Sequence, residues 1–267
     1  MNEHQHFRVA ALQIPLHWES RMKNLNYIEE KLKSHDLHAV DLIVLPEMFT
    51  SGFTMNAKAN ADGPEGEILE WMREQTQKGD FALTGSVIIE ENNRYYNRLY
   101  FVFPNGKYEV YDKRHTFSYA GEHKVFAAGT TRLIVNFRGW KICPMICYDL
   151  RFPVWSRNTE AFDALIYVAN WPESRIKAWD TLLPARSIEN MCYTIGVNRV
   201  GEDGNHIHYN GHSAIFDALG IQIAFLEERA GIVYAELDRN ELNQIRHKYR
   251  FLEDRDKFSL THLSGNH

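Results

Sequence analysis

The feature that most constrains the fold is the alternation of short, β-rich apolar runs with longer amphipathic ones, the pattern of a sheet covered by helices. One run, Leu42-Ile43-Val44-Leu45, is apolar on both faces, as a strand buried on both sides must be. Strands are predicted at Phe7–Gln13, Asp41–Leu45, Phe81–Ile89, Leu99–Phe103 and Tyr108–Asp112, with the turn Pro104-Asn105-Gly106 joining the last two. Later strands fall at Arg132–Phe137, Lys141–Ile146, Ala164–Ala169, Tyr193–Asn198, Ser213–Asp217, Ile221–Phe225 and Ile232–Leu237. Helices are predicted near Glu19–Lys33, from Gly63-Pro64 to about Lys78, near Pro153–Glu160, near Ile176–Asn190 and around Asn240–Tyr249. Lys113–Thr131, rich in His, Gly and Ala, shows no period, and a stretch that long is more often functional than idle.

At 267 residues, 44% hydrophobic and 24% charged, the chain can bury a sizeable core. It contains no linker, low-complexity tract or short-period repeat, so one domain is expected over 1–267, with its core at about 7–237 and a C-terminal helix and tail at 238–267. A net charge of -5 argues against nucleic acid as a partner, because modules that bind it carry a basic surplus. No apolar run reaches the length of a bilayer span, and MNEHQHFRVAALQ lacks the marks of a signal peptide, so neither membrane nor export is expected. Three cysteines, an odd number, do not suggest a disulfide framework, and a reducing cytoplasm is the simplest home.

Three reactive side chains each follow directly on a strand: Glu47 after DLIVLPE, Lys113 after YEVYDK and Cys147 after KICPMIC. Open α/β sheets bind ligands beyond the carboxyl ends of their strands, which would let the three share one crevice. A thiol, a carboxylate and an ammonium are what cysteine-based acyl transfer needs: a nucleophile, a proton carrier and a stabiliser of negative charge. Taken singly, each has a plainer explanation. Free cysteine is among the most buried residue types, and lone Glu or Lys residues are mostly solvated.

The segments LPEMFTSGF, YDKRHTF and ICPMICYDLRFP resemble the three signature regions of the nitrilase, or carbon–nitrogen hydrolase, superfamily. Gly121-Glu122-His123, VANWP at Val168–Pro172 and YNGHSAIFDALG at Tyr209–Gly220 extend the likeness, in order, from about Phe7 to Leu237. The resemblance implies a four-layer α-β-β-α sandwich that dimerises by stacking sheets about a two-fold axis. It also implies Glu47 as general base and acid, Lys113 as oxyanion stabiliser and Cys147 as nucleophile, with Glu122 the second glutamate often counted with them. Within the superfamily, CYDLRFP, NWP before a helix and DKRH–F followed by GEH are most similar to the bacterial omega-amidases, which hydrolyse the distal amide of 2-oxoglutaramate and 2-oxosuccinamate. Thr116, where Leu is common, and Ala218, where several relatives carry Pro, depart from the pattern at non-catalytic positions.

The expected reaction is therefore metal-independent and cofactor-free release of ammonia from a small amide through a cysteinyl thioester. The backbone N–H of Tyr148 is expected to share the oxyanion with Lys113, and Lys113 is expected to supply the positive field that favours a thiolate. Arg151, four residues after the cysteine, fits either an internal ion pair or a substrate carboxylate, with Arg114 and Lys124 as further candidates. Trp171 fits either the core or the pocket wall. N-carbamoyl hydrolysis, nitrile hydrolysis and a non-catalytic scaffold are the alternative functions. Cys143 and Cys147 have the wrong spacing for a redox pair, Cys192 reads as core, and His206, His208 and His212 read as a polar loop rather than a metal site.

Overall fold

In the computed structural model, residues 5–35, 37 and 39–260 are described. The first half runs β1 (His6–Gln13), α1 (Arg21–Ser34), β2 (Leu42–Val44), α2 (Ala57–Asn60), α3 (Glu67–Gly79), β3 (Ala82–Glu91), β4 (Arg94–Val102) and β5 (Tyr108–Asp112). The second runs β6 (Val135–Phe137), β7 (Trp140–Ile146), β8 (Ala164–Ala169), α4 (Ile176–Asn190) and β9 (Tyr193–Asn198). It continues through β10 (Val200–Glu202), β11 (His208–Asn210), β12 (Ser213–Phe216), β13 (Gln222–Leu226), β14 (Gly231–Asp238) and α5 (Arg239–Tyr249).

Two six-stranded sheets result, ordered β14-β1-β2-β3-β4-β5 and β13-β12-β9-β8-β7-β6, with β10 and β11 forming a separate pair. The period of two in the strands decides the layering. Ala10 and Leu12 of β1 pack with Leu25 and Ile28 of α1 and with Ile68 and Met72 of α3, outside the first sheet. Val9 and Ala11 face the other way and join Ile142 and Met145 of the second sheet in the central core. Trp179 and Leu183 of α4 extend that core, completing the α-β-β-α sandwich. No helix among the described residues is long and apolar enough to cross a membrane.

Strand direction positions the site. β1, β2 and β3 are parallel, and two antiparallel steps through β4 bring β5 back to the same sense. In the second sheet β7, β8 and β9 are parallel. The crevice therefore lies between the strand ends of two sheets, not at the switch point of one open sheet.

Four expectations are corrected. The helix near Pro153–Glu160 is a series of turns after a short 3₁₀ turn at Cys147–Arg151. Its backbone groups are held from outside: Arg132 donates to the carbonyls of Trp155 (2.8 Å) and Arg157 (2.7 Å), and the Asn158 N–H donates to the Asn190 side chain. The strand expected at Leu99 starts at Arg94, because Asn92 and Asn93, at φ 52° and 59°, make the tight turn from β3. The strand expected over Arg132–Phe137 begins at Val135. The polar stretch around His206 contains the β10–β11 hairpin, which was expected to be loop.

Candidate active site

Cys147 sits where β7 gives way to the 3₁₀ turn, at φ 44°, a left-handed conformation costly for a residue with a Cβ. Such a sharp strand-to-helix turn carries the side chain off the end of the sheet. The first N–H groups of the turn, including that of Tyr148, have no acceptor within it. Lys113 follows the last residue of β5, and Glu47 lies three residues beyond β2. Glu122 comes from a 3₁₀ turn, Glu122–Lys124, inside the aperiodic segment.

Four side chains predicted from sequence thus meet in one place, nearly out of solvent. Lys113 Nζ donates to Glu47 Oε1 (2.8 Å) and to both oxygens of Glu122 (3.0 Å each). The Phe117 N–H also donates to Glu122. Burial alone would lower the Lys113 ammonium, but the facing carboxylates of Glu122 and Glu47 hold it above its ordinary range and charged. Burial raises the Glu122 carboxyl, against the pull of Lys113.

Lys113 does favour the Cys147 thiolate, as expected, but it does not prevail. Burial, followed by the negative charge of Glu47, pushes Cys147 well above the ordinary cysteine range, and Lys113 opposes this only in part. A polar neighbour of the thiol is the Asn170 carbonyl, 3.9 Å from Sγ, and the surroundings taken together disfavour the thiolate although Lys113 favours it.

Three site residues were not singled out from sequence. Asn97 of β4 donates to Glu47 Oε1 (2.8 Å) and Glu122 Oε1 (3.3 Å). Asn170, within VANWP, donates its backbone N–H to Glu47 Oε2 (2.9 Å) and its side chain to the Glu47 carbonyl (2.6 Å), and its own carbonyl faces Cys147 Sγ at 3.9 Å. Asp149, fully buried, accepts from Ile146 N (3.1 Å), His115 N (3.0 Å) and Tyr111 Oη (2.7 Å). It fastens the segment carrying Lys113, from the first sheet, to the turn carrying Cys147, from the second.

Above this floor opens a cavity of about 640 Å³, whose lining includes Lys113, Cys147, Tyr148, Arg151, Asn170, Trp171 and Arg175. Trp171 is buried in the wall, and the Arg151 guanidinium lies over its ring at 4.9 Å. Arg114 and Lys124 do not line the cavity; Arg114 donates to the Gly129 carbonyl and stacks on Trp155. His206, His208 and His212 face three different carboxylates, Glu202, Glu173 and Asp180. Among the described residues no group of three His, Cys, Asp or Glu is placed to hold a metal ion.

A buried thiol, carboxylate pair and ammonium at the joined edge of two sheets define a thiol hydrolase of the sandwich type. The family model for carbon-nitrogen hydrolases matches residues 8–247, and this chain belongs to that family. It is 46% identical to the omega-amidase YafV of Yersinia enterocolitica over 95% of this chain and 98% of that protein. Against the 2-oxoglutaramate amidase of Bacillus subtilis it is 32% identical, covering 92% and 96%. A Xanthomonas campestris protein of the same superfamily, solved with an arsenic adduct in its active site, superposes with a TM-score of 0.93 at 40% identity, covering 96% of this chain and 99% of that one.

Proposed function

We propose that this enzyme is an omega-amidase, releasing ammonia from a small ω-amide of a dicarboxylic or 2-oxo dicarboxylic acid of the 2-oxoglutaramate, 2-oxosuccinamate or succinamate type. The observation that carries the reading is a buried Glu47–Lys113–Cys147 floor beneath a cavity whose rim carries arginine. The similarity to proteins named for this activity supports it.

As Cys147 attacks the amide carbonyl, Glu47 takes the thiol proton, so no free thiolate need accumulate in a site that disfavours one. The oxyanion is held by Lys113 and the Tyr148 N–H, where one such donor is worth roughly 3–4 kcal/mol of barrier. Glu47 passes its proton to the departing nitrogen, ammonia leaves and a thioester remains. Water then gives a proton to Glu47 and attacks the thioester. The second tetrahedral species collapses to the free acid, and the proton returns to sulfur. Glu122 keeps Lys113 charged and oriented throughout. Arg151 receives the substrate carboxylate against Trp171, since a carboxylate suits the planar donor fork of arginine.

The setting proposed is the cytoplasm, in keeping with three free cysteines, all buried. A homodimer is proposed as well, and exposed Ile188, packed against Gly220 beside exposed Leu219 and Ile221, offers an apolar face for it.

Ammonia release from succinamate, 2-oxoglutaramate and butyramide tests the reading. The two carboxylate-bearing amides are expected to exceed butyramide in kcat/KM by at least the roughly tenfold that one charged hydrogen bond supplies. Equal rates would replace it with a broader aliphatic amidase or a nitrilase.

A further inference from the structure

We propose that Arg175 is a second specificity residue, which together with Arg151 holds the carboxylate end of the substrate. The inference rests on the ω-amide reading above and names a residue for it that lies outside every signature segment. Arg175 closes the short 3₁₀ turn Glu173–Arg175, directly after Trp171-Pro172, and its side chain lines the cavity. Its guanidinium sits 5.2 Å from the Phe117 ring centre, as that of Arg151 sits 4.9 Å from Trp171. Resting a guanidinium on a ring satisfies its charge in part while leaving its N–H donors unspent.

The nearby carboxylates are already engaged. Glu173 faces His208 Nδ1 at 2.8 Å. Glu19 accepts from Thr54 and Asn56, and Asp203 accepts from Tyr209 Oη and from the N–H groups of Asn205 and Ile207. Among the described residues neither Arg151 nor Arg175 pairs with a carboxylate. Two guanidiniums therefore border one cavity with no protein anion to answer them, and an anion from solution is the complement they lack.

The two arms are also tied together and to the floor. Trp171 carries Arg151 on its ring while its Nε1–H donates to the Arg175 carbonyl at 2.9 Å. Phe117, the platform under Arg175, donates its N–H to Glu122, the partner of Lys113. A carboxylate gripped by both arms is thereby referenced to the same network that positions Cys147. A 2-oxo acid presents a carbonyl oxygen beside its carboxylate, more acceptors than the two that one bidentate arginine matches.

Succinate binding to Cys147→Ala protein, measured by calorimetry, isolates this grip from turnover. Adding Arg175→Gln is expected to weaken succinate by roughly tenfold to a hundredfold, the span for a hydrogen bond to a charged group. Arg175→Lys should recover part of the loss, through charge without the fork. In enzyme with Cys147 intact, Arg175→Gln should lower the ratio of kcat/KM for succinamate over butyramide by the same factor. Unchanged succinate affinity overturns the proposal, as does an equal loss on both amides, which a merely structural Arg175 propping Trp171 would give. Tight, Arg175-dependent succinate binding by a protein that releases ammonia from no amide would instead leave this inference standing and remove the omega-amidase reading.

Discussion

The floor and the rim of the cavity are built on opposite electrostatic plans. On the floor one ammonium faces two carboxylates, and Glu47, Lys113 and Glu122 are 0%, 1% and 0% exposed. Every one of these charges has its partner before substrate arrives. At the rim Arg151 is exposed, Arg175 is half-buried, and both rest on aromatic rings with no carboxylate paired to them among the described residues. On the proposed function, the floor is preorganised for a reaction common to any amide, and its burial, followed by the charge of Glu47, disfavours the thiolate. On the same proposal, choice among amides falls to the rim, where no carboxylate among the described residues answers the positive charge. If this division is right, floor substitutions should damage turnover on all substrates alike, and rim substitutions should damage discrimination.

The largest effect belongs to Cys147→Ala, which should abolish ammonia release from every amide while leaving the circular dichroism spectrum and thermal midpoint close to those of the parent. Cys143→Ala and Cys192→Ala should retain most activity. Burial raises all three thiols, Cys192 to about 12, so ordinary thiolate chemistry does not set Cys147 apart. What sets it apart is place: it alone of the three lines the cavity and faces Glu47. Iodoacetamide inactivation that followed Cys192 by peptide mapping would sink the assignment.

Glu47→Gln should cost roughly 10²–10⁴-fold in kcat on charged and neutral amides alike, as expected when a positioned acid–base group is lost. The same change should make the thiol easier to alkylate. Glu47 is the largest charge effect raising Cys147, so removing it lowers the thiol pKa and increases the thiolate fraction at any fixed pH below that value. In the parent enzyme, alkylation should keep rising with pH past 9.0, the ordinary thiol value, with no plateau near neutrality. Slower turnover combined with faster alkylation separates a base role from general damage. A Glu47→Gln enzyme alkylated more slowly than the parent would contradict the electrostatics described for the floor.

How much of this was legible follows the same division. Tyr108–Asp112, Ala164–Ala169, Ile176–Asn190 and Tyr193–Asn198 have the same bounds from sequence and structure, and the strands at Ala164–Ala169 and Tyr193–Asn198 are buried along their whole length. Glu47, Lys113 and Cys147 were visible because each directly follows such a run. Asn97 was not, because the strand is predicted to start only at Leu99, although β3 pairs with Arg94–Arg98 as well. Asp149 was hidden because a carboxylate in a short turn carries no period, and its importance lies in joining two sheets that sequence does not place side by side. Arg175 was passed over for a related reason. The role proposed for it depends on Phe117, far away in the chain and brought beneath it only by the fold. The lysine field at Cys147 was evident from sequence, whereas the burial and the two carboxylates that outweigh it are three-dimensional facts.

The smallest effect is expected from Arg151→Ala, and it tests the rim from its exposed side. The side chain lies on Trp171 and makes no ion pair among the described residues, so removing it leaves no buried charge behind and should change stability by less than about 0.5 kcal/mol. KM for succinamate should rise several-fold to about tenfold, below the loss expected at half-buried Arg175, because water competes for an exposed guanidinium and salt screens it. KM for butyramide, which carries no charge, should move little. The difference should also depend on ionic strength. At about 0.01 M the Debye length is roughly 30 Å and Arg151 acts at full reach; at about 1 M it is roughly 3 Å, and parent and variant should converge on succinamate. The Arg175 contribution, made at closer quarters on Phe117, should persist under the same salt. Loss of both contributions at about 1 M salt would mean that neither arginine contacts the carboxylate and that the rim acts only as a diffuse positive field.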